Sequence, residues 1–204
     1  MERWATFDCY GTLVDWNAGI RGVVGDELLD RYHELEPEIE RERPAASYRE
    51  VMAEALRRLG LPEPDALGDS LPRWPVFPEV RAALAEARGR GWKLAILSNT
   101  DRDLLDASLR AIAVPFDETV VASELGSYKP AHGHWQEFFR RTGADRAGHV
   151  HVAQSHFHDV VPATELGLRT VWINRLGERR EPRPTRELRD LSGLADTLDE
   201  LVPA

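Results

Sequence analysis

The sequence predicts an α/β protein: a doubly wound, Rossmann-like parallel sheet with a small helical insertion after its first strand. Three observations lead there. From residue 78 onward, short apolar runs alternate with helical patterns, the rhythm of right-handed β-α-β crossovers. A single apolar strand opens the chain and is separated from that rhythm by a helix-rich stretch. Several apolar runs end on polar residues, as strands do where an open parallel sheet binds a ligand.

The elements follow in order. Trp4 to Asp8 reads as a short strand ending on Asp8. Residues 17–36 carry a loose helical period through Ile20, Val23, Val24, Leu28, Leu29, Tyr32 and Leu35, ending near Pro37. A charged stretch leads to a second helix, SYREVMAEALRRLG, with Ser47 as N-cap and Gly60 just past its end. Five prolines in LPEPDALGDSLPRWPVFP mark a linker. Then PEVRAALAEARGRG is a helix, WKLAILSNT a buried strand, DRDLLDASLRAI a helix, and DETVVASEL contains a short strand. HGHWQEFFRRTG is a helix, HVHVAQS a strand, HDVVPATELG a helix and RTVWINR a strand, whereas 178–187 reads as a solvated loop. The α/β core is assigned to 1–14 and 77–204, with a helical cap at 15–76.

Bulk properties narrow the function. The 204 residues suit one α/β core with an insertion, and 42% hydrophobic with 30% charged content is ordinary for a globular protein. A net charge of -9 argues against nucleic acid and against a broad anionic membrane surface as partners. Any anionic substrate needs a local basic cluster. The lone cysteine, Cys9, excludes an internal disulfide and fits a reducing, cytoplasmic setting. No secretory or membrane-spanning apolar run is found.

The strand ends carry the chemistry. Asp8 with Cys9 and Tyr10 ends the first strand, and Ser98 with Asn99 ends the second. Lys129 follows in the loop SYKP, and Gln154 through Asp159 follow the HVHVA strand. The order of FDCYGTL, LSNT, SYKP and AQSHFHD resembles the four-motif ladder of the haloacid dehalogenase superfamily over nearly the whole chain, cap included. It is most similar to the 2-haloacid dehalogenases, which have a tyrosine where the superfamily's phosphatases have a second aspartate.

That difference has a chemical meaning. An alkoxide leaving phosphorus needs a proton donor, and a tyrosine of pKa near ~10 is a poor one. Halide leaves without a proton. The fourth motif agrees, because Gln154 stands where phosphatases place one of two acids that help hold Mg²⁺. Asp8 and Asp159 then face one Lys129, leaving about one negative charge. At ~4 Å and an effective dielectric of ~20, each pair is worth roughly 4 kcal/mol, enough to hold both carboxylates ionised without metal or other cofactor.

The resemblance implies a mechanism. Asp8 displaces halide from a short 2-haloacid, and water hydrolyses the resulting ester. Thr12 orients Asp8. Ser98 and the backbone N–H groups of Cys9 and Tyr10 hold the substrate carboxylate, and Asn99 faces the halide. A cap arginine against the halide is expected at Arg31, with Arg43 and Arg49 as rivals. The chain departs from the family at Gln154, at His156, and at Trp135 in place of a tyrosine. His156 or His158 is the expected base for the hydrolytic water. Family resemblance also implies a possible homodimer.

Blander roles compete. His132, His134, His149 and His151 lack a matched set of ligands and read as structural, and Trp74, Trp92 and Trp172 as packing. Two other functions are set beside dehalogenation: a Mg²⁺-dependent phosphatase with an atypical acid, and a degenerate fold that only binds a small anion.

Overall fold

The computed structural model describes residues 2–204. Strand β1 (Arg3–Phe7) is buried along its length. Its alternating side chains feed two cores: Ala5 and Phe7 the larger, Trp4 the smaller. A strand covered on both faces requires this. The chain then turns at Gly11, whose φ of +89° suits glycine and where a Cβ would meet Gln154 Oε1.

Helices α1 (Trp16–Val24), α2 (Asp26–Glu42), α3 (Tyr48–Arg58) and the short α4 (Ala66–Ser70) come next. The chain leaves and rejoins the sheet at one place. Val14 bridges Val76, the Asp15 N–H donates to Pro75 O (2.7 Å), and the Phe77 N–H donates to Leu13 O (3.0 Å). Ser47 caps α3 in a reciprocal capping box with Glu50. Asp101, just past the second strand, accepts from the Tyr48 and Arg49 N–H groups (2.9 and 3.0 Å), so the insertion is anchored to the core by a helix N-terminus.

Two local expectations need correction. The helical stretch beginning near residue 17 breaks at Gly25 (φ +78°), and α2 then runs through Pro37 instead of ending there. Leu35 and Ile39, buried on either side of the proline, hold the helix despite the lost hydrogen bond. The proline-rich stretch is not an open linker either. Leu67, Leu71 and Trp74 are buried in the larger core, so α4 is pinned by packing.

The rest alternates as the sequence implies: α5 (Val80–Gly89), β2 (Trp92–Ser98), α6 (Arg102–Ile112), β3 (Glu118–Val121), α7 (Ala122–Leu125), α8 (Gly133–Thr142), β4 (His149–Ala153), α9 (Val161–Glu165) and β5 (Arg169–Ile173). Two further elements, β6 (Arg186–Leu188) and α10 (Leu194–Leu201), complete the chain. The expected loop at 178–187 therefore ends in an edge strand. The six strands are all parallel in the order β3-β2-β1-β4-β5-β6. Helices α5 and α10 pack in the larger core and α8 and α9 in the smaller, which makes the sheet doubly wound. Strand order reverses between β1 and β4. That switch point is where such sheets open a ligand crevice, and Asp8 and Gln154 stand at its lip. Among the described residues no helix is long and apolar enough to cross a membrane.

Candidate active site

Asp8 follows the last residue of β1, its N–H donating to Val152 O (3.1 Å), so its carboxylate emerges at the carboxyl edge of the sheet. Both oxygens are held. Thr12 Oγ1 donates to Oδ2 (2.9 Å) and Lys129 Nζ donates to Oδ1 (2.9 Å). Thr12 is itself fixed by the Gln154 N–H (2.9 Å), a bond that links the ends of β1 and β4.

Lys129 is buried and splits its three donors among Asp8, Asp159 Oδ1 (2.6 Å) and Leu97 O (2.9 Å). The ammonium therefore lies between the two carboxylates and offsets part of their charge. Among the described residues no group of three or more His, Cys, Asp or Glu is placed to hold a metal ion. Asp159 has a second donor, His151 Nε2 at 2.9 Å. Burial alone would raise the Asp159 pKa, but Lys129 and His151 outweigh it and hold the group down at about 2. Asp8 is pushed the other way, because burial and the Asp159 charge together outweigh Lys129. Lys129 is held above the usual lysine value: burial opposes this, and the two carboxylates prevail.

Around this triad lie unpaired donors. Ser98 Oγ is buried, lines the cavity and has no hydrogen-bond partner. Among the described residues the Cys9 and Tyr10 N–H groups also lack one within the chain. Asn99 clamps the Lys129 backbone from both sides, donating to its C=O (3.0 Å) and accepting from its N–H (2.7 Å), so its first role is to set the lysine. Tyr10 lines the cavity with its ring but turns its hydroxyl to Ser108 Oγ (3.0 Å), and burial pushes its pKa up. The phenol is poorly suited to give a proton to a leaving group at Asp8.

The cavity above Asp8 measures about 580 Å³ and is roofed by α1, α2 and α3. Trp16, His33, Glu36, Glu40 and Tyr48 line the roof, with Arg21 and Arg175 as the lining arginines. Glu36 Oε1 accepts from Tyr48 (2.7 Å) and Tyr32 (3.2 Å), yet burial still lifts its pKa to about 7. Burial and the neighbouring Glu36 push Glu40 well up as well.

Several expected site residues lie elsewhere. Arg31 is on the outer face of α2, more than half exposed and paired with Glu34 (2.7 Å), because Leu29, Tyr32, Leu35 and Ile39 turn the other face inward. Its rivals Arg43 and Arg49 pair with Glu50 (3.7 Å) and Asp103 (2.7 Å), away from the cavity lining. Trp135 is fully buried in the smaller core, spaced with Phe138 on the inner face of α8. His156 turns its Nε2 to Pro182 O (2.9 Å) and packs its ring edge-on to Trp172, which withdraws it from the cavity. The Cys9 side chain is buried outside the lining, and burial raises its pKa well above the usual thiol value, so only its backbone can serve. Gln154 and His158 do line the cavity. Burial lowers the His158 pKa to about 4, which leaves it neutral near pH 7.

Glu36, Glu40 and His151 are the groups the sequence did not flag as functional. His151 had a signal available: it lies two residues from His149 on one face of β4, and Asp159 follows it by eight residues, in the helical turn after the strand.

Comparison with known proteins follows the same geometry. A family model described as haloacid dehalogenase-like hydrolase matches residues 3–153. An (S)-2-haloacid dehalogenase from Pseudomonas sp. (strain YL) is 33% identical over 84% of this chain and 82% of its own. (S)-2-haloacid dehalogenase 1 from Pseudomonas sp. (strain CBS-3) is 27% identical over 95% and 94%. A solved L-2-haloacid dehalogenase, 26% identical, superposes with a TM-score of 0.86 over 97% of this chain and 99% of its own. With its family model spanning most of the sheet and the triad in place at the switch point, the chain belongs to the haloacid dehalogenase-like hydrolases.

Proposed function

We propose that this protein hydrolyses the carbon–halogen bond of short 2-haloacids through an ester on Asp8, without a metal. One observation carries the reading. Asp8 is held by an ammonium and a hydroxyl, while the residue two positions on is a tyrosine with its hydroxyl turned away. That site has a fixed nucleophile and no acid two residues on to protonate an alkoxide leaving in the first step. A halide needs none. The similarity to (S)-2-haloacid dehalogenases over most of both chains supports the same chemistry.

The geometry supports the following steps. The substrate carboxylate sits against Ser98 Oγ and the Cys9 and Tyr10 N–H groups, which lack other partners. An Asp8 oxygen attacks the halogen-bearing carbon, the carbon–halogen bond breaks, and halide departs with the electron pair. The second N–H of Asn99 Nδ2 is available to it. Water then attacks the ester carbonyl and gives one proton to Asp159, whose Oδ2 is buried without a partner. As the adduct collapses that proton passes to the departing alkoxide, Asp8 is restored as a carboxylate with its remaining proton lost to solvent, and the 2-hydroxy acid leaves. With Glu36 largely protonated below about pH 7, the roof is less negative than its carboxyl count implies. Residues 15–76 act as the cap that closes the site, and the lone buried thiol of Cys9 suits a reducing compartment.

The test is halide release from each enantiomer of 2-chloropropionate, with and without chelator, beside a chromogenic phosphate ester. Release that survives chelator is expected, and Asp8→Asn should lower it by on the order of 10⁴-fold or more. Phosphate release abolished by chelator, with no halide formed, would overturn the reading in favour of a Mg²⁺-dependent phosphatase.

A further inference from the structure

We propose that His151 is a positioning residue for the hydrolytic half-reaction. With Thr6 and His149 it forms a buried hydrogen-bond chain that reserves one oxygen of Asp159 for water. The inference rests on the haloacid reading for its kinetic consequence, though the chain itself is a matter of geometry.

Asp159 is almost wholly buried. Its Oδ1 accepts from both Lys129 Nζ (2.6 Å) and His151 Nε2 (2.9 Å), while Oδ2 has no partner. Asp159 also lines the cavity. A buried carboxylate oxygen left bare is costly unless a water or substrate group meets it there. Crowding two donors onto Oδ1 is what leaves Oδ2 bare.

The direction of the chain is built up from the Asp159 end. An ionised carboxylate only accepts, so His151 Nε2 carries its proton. In the proposed chain the ring carries that one proton, so its Nδ1 is an acceptor. Thr6 Oγ1, 2.8 Å away, supplies the proton. Its oxygen can then accept from His149 Nε2 at 2.9 Å. His149 Nδ1 ends the chain as a bare acceptor against Phe138 and Phe139. Burial pushes the His149 pKa well down, in keeping with a neutral ring.

The sheet builds this without distortion. Trp4 pairs with His149 and Thr6 with His151 across β1 and β4, so the threonine stands between the two imidazoles on one face. Trp135, edge-on to the His151 ring at 5.2 Å, stops that ring from turning. This gives Trp135 a function other than substrate contact. Without the His151 donor, Asp159 is free to meet Lys129 with both oxygens, and the acceptor for water is lost.

The experiment separates the two half-reactions. First-turnover halide release from 2-chloropropionate, steady turnover and the mass of the intact protein are measured for wild type, His151→Leu, His151→Gln and Thr6→Val. In His151→Leu the first turnover should stay within about threefold while steady turnover falls about 100-fold, the scale for a misplaced catalytic group. An ester should accumulate on Asp8. His151→Gln, which can still donate to Asp159, should recover much of the rate, and Thr6→Val should lie between. Unchanged turnover in His151→Leu, or equal loss of both phases with no rescue by glutamine, would overturn the proposal. If wild type releases no halide, the haloacid reading falls. The ¹⁵N spectrum of the wild-type imidazoles still decides the chain, since both rings must be neutral with the proton on Nε2. A cationic His151, or one protonated only on Nδ1, would sink it.

Discussion

The floor and the roof of the cavity are built differently. The floor is the carboxyl edge of a parallel sheet, where register fixes each group. Asp8 leaves β1 beside Val152 of β4, Lys129 reaches back to Leu97 O of β2, and Thr12 ties to the Gln154 N–H. The roof is a set of helix faces, and the rotation of α2 is decided by where Leu29, Tyr32, Leu35 and Ile39 must go. Two acids, Glu36 and Glu40, travel inward with that stripe. Reaction chemistry thus sits where the backbone dictates position. Whatever distinguishes one substrate from another sits where side-chain packing does.

The comparison breaks most sharply at the floor's keystone. Lys129→Met removes the one ammonium that both Asp8 and Asp159 share. Leaving buried acids uncompensated should cost about 3–5 kcal/mol of stability near pH 7, and halide release should disappear. The stability loss should shrink toward pH 4, since protonating the acids relieves their repulsion. Urea unfolding of both proteins at the two pH values checks this. An equal loss at both would mean that the lysine contributes packing and little charge.

The same contrast explains what could be read in advance. The sheet was legible because its strands are apolar runs of distinct length, and their polar terminal residues mark the floor. Asp8, Thr12, Ser98, Asn99, Lys129, Gln154 and Asp159 all come together there. β6 was missed because its Arg186-Glu187-Leu188 sequence carries no apolar pattern and sits at a mostly exposed edge. On α2 the apolar period through Leu29, Tyr32 and Leu35 is legible, whereas Arg31 is expected from the resemblance alone, and that period turns it outward; Glu36 and Glu40 carry no apolar signal to mark them as buried. His151 was hidden for another reason. A histidine inside an apolar strand looks like core, and only the fold of the next eight residues brings Asp159 back to it.

The roof's largest signature should be in its pH dependence. Glu36 titrates from 4.5 in an ordinary environment up to about 7 when buried in the folded protein. The folded state holds that proton more tightly, so between those values it binds more protons than the unfolded chain. Its contribution to stability is then fully present below pH 4.5 and lost as pH rises through 7, by roughly 3 kcal/mol. Asp8 and Glu40, both pushed upward too, add slopes of the same sign. Glu36→Gln keeps an acceptor for Tyr32 and Tyr48 but cannot ionise. It should therefore lose less stability between pH 5 and 8 than wild type does, and a parallel decline in the two would remove Glu36 as the cause.

The smallest effect tests the phase of α2. Arg31 pairs only with Glu34 on an exposed surface, where such pairs contribute little. Arg31→Ala should leave stability within about 0.5 kcal/mol and kcat/KM for 2-chloropropionate within about twofold. Arg21→Ala is the informative partner, because Arg21 lines the cavity. It should raise KM more than Arg31→Ala does. Were Arg31→Ala instead the damaging change, α2 would have to be turned in the working enzyme. Glu36 and Glu40 would then leave the roof, and the buried Tyr48–Glu36 bond that now fixes that face would have to open.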